Sequence, residues 1–182
     1  MRKRFNDTGL CVAHKHFMVD TGHKIKQIFD ELIEYGEYFT INRSRQFGKT
    51  TTISLLNKYL KKQADYFVIR TSFEGVGDDI FKTKESFSKG FLMNLYYKTR
   101  LWDRDLAEEF KLASQEMNDF ETLSLFITDF VMRKQKKIVL IIDEVDKSSN
   151  NQLFLSFIGM LRDKYLLCND GEDYTFHPVN MC

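Results

Sequence analysis

Asn42-Arg43-Ser44-Arg45-Gln46-Phe47-Gly48-Lys49-Thr50-Thr51 lies between an apolar strand pattern and the pattern of an amphipathic helix. Its Gly-Lys-Thr matches the end of the phosphate-binding-loop consensus, in which glycine and four further residues precede glycine, lysine and a hydroxyl residue. Such a loop directs backbone N–H groups at phosphate oxygens, and the following helix adds partial positive charge. The stretch therefore predicts a nucleotide site formed by Arg43, Ser44, Arg45, Gln46, Phe47, Gly48, Lys49, Thr50 and Thr51.

The loop departs from the consensus at its first glycine, where this chain has Arg43. A side chain at that position limits how tightly the backbone can turn. Arg43 and Arg45 could donate charge-assisted hydrogen bonds to phosphate, or they could be solvated loop charges. Because Gly-Lys-Thr alone often occurs by chance, the prediction needs a second sequence feature.

That second feature is the apolar run Ile138–Ile142, which is followed by Asp143 and Glu144. A run of this length, rich in β-branched residues, is typical of a strand buried on both faces of a parallel sheet. The acidic pair at its end has the form of a Walker B strand, in which Asp143 meets Mg²⁺ and Glu144 polarises a water. A core strand that happens to end in acids is the alternative, but the combination with the loop favours nucleotide binding.

Composition narrows the class of protein. The 182 residues suit a single domain, and a hydrophobic content of 43% is enough to form a core. The net charge of +1 gives no general attraction to nucleic acid or to an anionic membrane. Three scattered cysteines fit reduced thiols, and no apolar stretch approaches the length of a membrane helix. We therefore expect a cytoplasmic protein with no membrane segment and no nucleic-acid partner.

Apolar periodicity predicts helices that alternate with strands. Helices are expected at 21–35, 49–63, 103–116, 119–134 and 151–166, with a further helical stretch around Phe87, Phe91 and Leu95. Strands are expected at 38–41, 66–70 and 138–142, and residues 174–179 begin like a strand. The alternation predicts an α/β fold with a parallel sheet, in one domain over 1–182 that has a lead-in at 1–20 and a βα core at 21–182.

Ligands of such sheets bind at the carboxyl ends of the strands. The phosphate loop, the loop around Glu74 and the pair Asp143-Glu144 all follow strands, so we expect them at one edge of the sheet. Glu74 could face the γ-phosphate or be an ordinary loop acid. The basic run at 133–137 precedes a strand, so it should lie at the opposite edge as a solvated turn.

With both motifs in place, the chain resembles the bacterial AAA-like P-loop ATPases of the additional-strand, catalytic-glutamate class. The resemblance rests on Asn6–Gly9 with His16–Asp20, on Phe39–Thr51, on Ser72–Gly75 and on Ile142–Phe154. An arginine in the phosphate loop is common in this family, so Arg43 fits the resemblance.

The resemblance implies a P-loop NTPase three-layer αβα sandwich and a set of residue roles. Lys49 would contact the β- and γ-phosphates and take part in catalysis. Thr50 and Asp143 would hold Mg²⁺, and Glu144 would activate the attacking water. The segment His16–Val19 would lie near the adenine.

The resemblance also implies a five-stranded sheet in the order 5-1-4-3-2, whose fourth strand ends in a polar sensor residue. This chain ends at Cys182, at or just inside the expected fourth strand. We therefore expect an incomplete sheet with strands 1–3, the start of strand 4 and two unpartnered strand edges in its middle. Pro178 would remove a further hydrogen-bond donor from that strand. The sequence hypothesis is a copy truncated at its C-terminus.

These observations favour an ATP-binding, Mg²⁺-dependent ATPase domain whose downstream task the sequence does not name. A non-hydrolysing nucleotide-binding or remnant module, acting through a protein partner or self-association, is the alternative. A structural fragment that binds nothing is a third possibility. No base-reading motif separates ATP from GTP.

Overall fold

The structure, a computed structural model, describes residues 2–6, 11–41, 48–144 and 151–180, and it describes residues 178–180 by their backbone only. Its helices are α1 (Gly22–Ile28), which continues into a π-helical turn (Phe29–Ile33), α2 (Lys49–Leu60), α3 (Lys84–Thr99), α4 (Arg104–Glu116), α5 (Phe120–Lys134) and α6 (Gln152–Asn169). A single 3-10 turn covers Asp78–Phe81, and the strands are β1 (Phe39–Thr40), β2 (Tyr66–Ser72), β3 (Lys137–Asp143) and β4 (His177–Asn180). The predicted α/β class is confirmed.

The four described strands form one parallel sheet in the order β1-β4-β3-β2. This order agrees with the one that the resemblance implies for the first four strands. The expectation of unpartnered edges in the middle of the sheet is wrong for the described residues. β4 lies between β1 and β3 and pairs with both, through Phe39↔Val179 on one side and Val139↔His177 on the other. The four residues of β4 are therefore enough to link β1 to β3 in one continuous sheet.

Proline is tolerated inside this central strand. Pro178 lies opposite Leu140 in the ladder between β3 and β4. Proline has no backbone N–H, so one ladder donor is lost there. The pairs on both sides of it, Val139↔His177 and Ile141↔Val179, are nevertheless in register. The strand prediction for residues 174–179 therefore holds from residue 177 onward.

Both faces of the sheet are covered by helices, because side chains alternate between the two faces of a strand. On one face, Val68, Val139 and Ile141 pack with α1 and with Leu56 of α2. On the other face, Ile138, Leu140 and Ile142 pack with α3 to α6. The predicted burial of β3 on both faces is confirmed, since residues 138–143 are all buried.

The α3–α6 face has an aromatic core. Phe87, Phe91 and Phe157 are fully buried, and the Phe157 ring centroid lies 5.0 Å from that of Phe87 and 4.9 Å from that of Phe91. Phe73, just after β2, contacts the same group through Phe154 at 5.2 Å. These rings dominate the apolar area that this face removes from water, so the helical spacing of the phenylalanines marks core positions.

The end of the first helical segment packs against β4 through Gly36 and His177. Gly36 has a φ of +71° and follows the π-helical turn, as expected for a helix C-terminus. A Cβ at Gly36 would lie 2.7 Å from the His177 ring, so glycine is also needed for space. Burial and the charge of Lys137 hold the pKa of His177 below its ordinary value, although the Gly36 backbone opposes this by hydrogen bonding.

No described helix has the length and apolar character needed to cross a membrane.

Candidate functional site

The first part of the candidate site is the start of α2. Gly48 immediately precedes the helix with a φ of +73° and a ψ of +23°, a left-handed conformation that favours glycine. A Cβ at Gly48 would meet nothing within 4 Å, so the requirement is conformational rather than steric. Lys49 and Thr50 are partly buried in the first turn, where helix geometry leaves backbone N–H groups without partners in the helix. The predicted site residues Arg43, Ser44, Arg45, Gln46 and Phe47 lie outside the described residues.

The N-terminal lead-in is held against this first turn. The backbone N–H of Cys11 donates to Thr51 Oγ1 at 3.3 Å. The Val12 N–H donates to His16 Nδ1 at 3.0 Å, which folds residues 12–16 into a compact turn. A bridge between Arg4 and His16 extends the contact toward the N-terminus. The lead-in is therefore a neighbour of the predicted phosphate-binding helix, although its sequence has no clear periodicity.

The second part of the site is the end of β3. Asp143 is only 3% exposed, and both of its carboxylate oxygens have partners. Oδ1 accepts the Glu144 backbone N–H at 3.0 Å, and Oδ2 accepts Arg70 Nη2 at 2.6 Å. Glu144 itself has a φ of +55°, which is uncommon for a residue with a side chain. Such local strain costs about 1–3 kcal/mol and recurs at functional sites.

Strand alternation places the charged groups on the same face of the sheet as α2. Val139 and Ile141 pack on the α1–α2 side, so Asp143, two residues further along β3, points to that side too. Arg70 lies opposite Ile141 in the β2–β3 ladder, and Ser72 lies opposite Asp143. The Arg70–Asp143 ion pair thus forms diagonally across two neighbouring strands, on the face that α2 covers.

Sequence reasoning missed Arg70. It noted residues 66–70 as a strand but gave Arg70 no role. A signal was available, because Arg70 and Ser72 are polar residues two apart in a strand that is otherwise largely apolar. Residues two apart share a face, so a polar face at the carboxyl end of β2 follows from the pattern. Which acid Arg70 would meet depends on the pairing of β2 with β3.

Glu74 lies in the exposed loop that follows β2. Its backbone N–H donates to Ser72 Oγ at 3.1 Å, and Asn94 Nδ2 donates to the Ser72 carbonyl at 2.8 Å. Glu74, Ser72 and Asn94 line a surface depression of about 540 Å³. Glu74 therefore lies at the carboxyl end of β2, as the sequence predicts.

Two of the predicted site residues carry oxygen ligands of the kind that a phosphate-bound magnesium ion takes. Asp143 offers a buried carboxylate and Thr50 a hydroxyl, and both are hard oxygen ligands of the type that Mg²⁺ takes. Over the ranges that the structure describes, no three His, Cys, Asp or Glu side chains are grouped as they would be around a metal ion. Mg²⁺ usually binds one or two carboxylates together with substrate phosphates and waters, so one buried aspartate is sufficient.

The basic run lies at the other edge of the sheet. Lys137 is the first residue of β3, and its Nζ lies 5.6 Å from the centroid of the Tyr66 ring. Arg133 and Lys134 pair with Glu109 at 2.5 Å and 3.4 Å. These three cations have local partners near the amino end of β3, away from the candidate site, where the sequence predicts a solvated turn.

Comparison with protein-family models matches residues 7–174 to a family described as the AAA-like domain. No curated protein and no solved structure matches the chain. The matched stretch takes in the lead-in, the start of α2 and the end of β3, which are the elements that form the candidate site. The chain belongs to the AAA-like domain family.

Proposed function

We propose that this chain is an ATP-binding, Mg²⁺-dependent ATPase domain with the three-layer αβα sandwich of P-loop NTPases. The observation that carries the proposal is the position of Asp143. It is a buried acid at the carboxyl end of a central parallel strand, on the face that α2 covers. Membership of the AAA-like family supports nucleotide binding at this position.

The phosphates would be bound at the start of α2. Lys49 contacts the β- and γ-phosphates, and the first-turn N–H groups of α2 donate to phosphate oxygens. Residues 43–47 complete the loop, with Arg43 and Arg45 adding charge-assisted hydrogen bonds. This arrangement offsets the charge that develops during phosphoryl transfer, in which positioning and electrostatics supply most of the catalysis.

Thr50 and Asp143 would hold Mg²⁺, which when bound neutralises charge on the phosphate oxygens. Glu144 is the residue proposed to orient the attacking water. The backbone of Glu144 is tied to Asp143 Oδ1, so its position depends on the same carboxylate that serves the metal. A left-handed backbone at Glu144 turns the chain away from the strand at the point where its side chain is needed.

The adenine would lie beside the lead-in. The Cys11–Thr51 hydrogen bond brings residues 11–16 next to the first turn of α2. An adenine whose phosphates bind at that turn therefore lies close to the lead-in.

We place the protein in the cytoplasm, where Cys11 and Cys168 would stay reduced, and both are free thiols in the structure.

Thermal unfolding with and without excess Mg-ATP tests the nucleotide site. At ligand about 100-fold above Kd, the expected stabilisation is about 2.7 kcal/mol. For a chain of this size that corresponds to a rise in Tm of roughly 5–10 °C. Lys49→Ala should abolish the rise, whereas Lys58→Ala, an exposed lysine on the same helix, should preserve it. A cooperative unfolding transition that Mg-ATP does not shift would contradict the proposal.

Turnover separates the proposed ATPase from a non-hydrolysing nucleotide-binding module. Glu144→Gln should keep the Mg-ATP shift in Tm and reduce hydrolysis by about 100-fold or more, because it removes the water-orienting carboxylate. Equal turnover in Glu144→Gln and the unmodified chain would remove Glu144 from the mechanism. Binding without turnover in the unmodified chain would favour the non-hydrolysing module.

A further inference from the structure

The carboxylate proposed to serve the metal already has a protein cation as its partner. Arg70 Nη2 donates to Asp143 Oδ2 at 2.6 Å, and the Asp143 side chain is 4% exposed against 31% for Arg70. The other oxygen, Oδ1, accepts the Glu144 N–H. A metal ion approaching Asp143 therefore meets a carboxylate with hydrogen bonds to both oxygens and a positive charge beside it.

A guanidinium and Mg²⁺ at the same carboxylate repel each other. The repulsion is stronger near a buried group than in water, because the effective dielectric constant there is lower. Arg70 must then either weaken metal binding at Asp143 or move when the metal binds. Its partial exposure and its position on β2, the outer strand of the described sheet, make movement feasible.

The structure provides a second acceptor that the Arg70 side chain could use. Arg70 lines a cavity of about 160 Å³ between α2, α3 and β2, and Asn57 of α2 lines the same cavity. Asn57 Oδ1 is buried and has no hydrogen-bond partner among the described residues. A buried acceptor without a donor is costly to leave unsatisfied. No carboxylate lines the cavity, so Asn57 is the side-chain amide available there for a displaced guanidinium.

Two lysines, Lys61 and Lys98, line the cavity together with Arg70. The Lys61 Nζ lies 5.1 Å from the centroid of the Trp102 ring in a cation–π contact. The Arg70 guanidinium carries several N–H donors in a fixed planar fork, so it can donate either to a carboxylate or to an amide oxygen. Asp143 and the Asn57 cavity are therefore two alternative positions for one side chain.

We propose that Arg70 is a positioning residue that holds Asp143 in the metal-free state and turns toward Asn57 when Mg²⁺-nucleotide binds. The proposal rests on the proposed function, since it concerns the metal at that same site. Arg70 keeps the buried Asp143 carboxylate oriented before the metal binds. Asn57 then accepts the guanidinium, which lowers the energetic cost of releasing Asp143.

Magnesium titration at fixed, saturating ATP tests the proposal, with Tm as the readout and no turnover required. Arg70→Gln removes the competing charge, so the Mg²⁺ concentration at half-maximal stabilisation should fall about tenfold. Asn57→Leu removes the alternative acceptor at similar side-chain volume, so the same midpoint should rise about threefold. Arg133→Gln, which breaks an ion pair with Glu109 distant from the site, is the matched control and should leave the midpoint unchanged.

The outcomes separate this proposal from the proposed function. No stabilisation of the unmodified chain by Mg-ATP would overturn both. Normal stabilisation of the unmodified chain, with an unchanged or higher midpoint in Arg70→Gln, would overturn the role of Arg70 and leave the nucleotide site intact. If Arg70→Gln does not unfold cooperatively, Asn57→Leu decides, and a midpoint that is unchanged or lowered in that variant overturns the proposal.

Discussion

Two ion pairs of this molecule each bury one partner, the cation in one pair and the carboxylate in the other. Lys164 Nζ, on α6, lies 2.5 Å from Asp173 Oδ2, and the Lys164 side chain is only 3% exposed. Thr128 of α5 completes a triangle, because its Oγ1 lies 2.7 Å from both Lys164 Nζ and Asp173 Oδ1. The Tyr174 N–H also donates to Asp173 Oδ1 at 2.6 Å. We call this the closed pair, because both of its members have further protein hydrogen-bond partners.

The Arg70–Asp143 pair is open by comparison. Arg70 is partly exposed and lies beside a cavity that contains an unpartnered acceptor. The closed pair ties α5 and α6 to the segment that leads into β4, whereas the open pair lies at the carboxyl end of the sheet. A fully satisfied buried network rigidifies its surroundings. The difference is consistent with the proposal that the first pair serves the fold and the second serves the nucleotide site.

Lys164→Met should give the largest effect. It removes a buried cation and leaves the Asp173 carboxylate, which is 15% exposed, without its ionic partner, at a cost of about 2–3 kcal/mol. The free energy of unfolding, measured with urea, should fall by this amount. The Mg²⁺ midpoint of nucleotide stabilisation should not change. A change in that midpoint would mean that the closed pair also serves the site.

Arg70→Gln should cost less, about 1–2 kcal/mol, because the partial exposure of Arg70 weakens its contribution. Excess Mg²⁺ with ATP should recover most of this loss, since the metal supplies the missing positive charge at Asp143. The same addition should not reduce the Lys164→Met deficit. Urea unfolding of both variants with and without Mg-ATP makes the comparison, and equal recovery in the two would remove the distinction between open and closed pairs.

Thr128→Val should cost about 1 kcal/mol. It keeps the shape of the side chain but removes one hydroxyl that bonds both members of the closed pair. Thr122→Val would be a poor control, because Thr122 caps α5. Ser124→Ala, on the same helix and partly buried, is a better match and should cost less. An equal loss of unfolding free energy in the two variants would mean that the Thr128 hydroxyl stabilises the fold no more than the Ser124 hydroxyl does.

The smallest effect should be the acid dependence of the closed pair. Burial raises the pKa of Asp173, but the hydrogen bonds from Lys164 and Thr128 outweigh it and hold the pKa below its ordinary value of 3.8. Stability from the ionised carboxylate is therefore fully present above pH 3.8 and is lost as the pH falls through the folded-state pKa. Asp173→Asn should show a flatter decline of unfolding free energy below that pH. A steeper decline would reverse the sign of the assigned shift.

The sequence predicted the elements of the fold better than their arrangement. Apolar periodicity located all the main helices and the first three strands, because each pattern reports which side of a local segment meets the core. It also identified β3 as buried on both faces. The predicted gap in the middle of the sheet was wrong, because four residues of β4 pair with β1 and β3 in spite of Pro178. Strand pairing is a non-local choice that periodicity does not report.

In the candidate site too, the sequence predicted individual residues better than the contacts between them. Lys49, Thr50, Asp143 and Glu144 were chosen from short motifs, and the structure describes their positions at the start of α2 and the end of β3. Arg70 was not chosen, although it is the direct partner of Asp143. Seventy-three residues separate the two in sequence. A polar strand position indicates only that something polar lies opposite, and the register of β2 against β3 decides what that is.

The sequence by itself determined that this chain is an α/β protein with a parallel sheet, a helix that begins at Gly-Lys-Thr and a buried strand that ends in two acids. These properties follow from local patterns of burial and backbone preference. Only the tertiary structure decided that β4 closes the sheet, that Lys164 and Asp173 form a closed pair and that Arg70 reaches Asp143. The reason is physical, because ion pairs and ladders join residues far apart in the chain, and their partners exist only once helices and strands have packed.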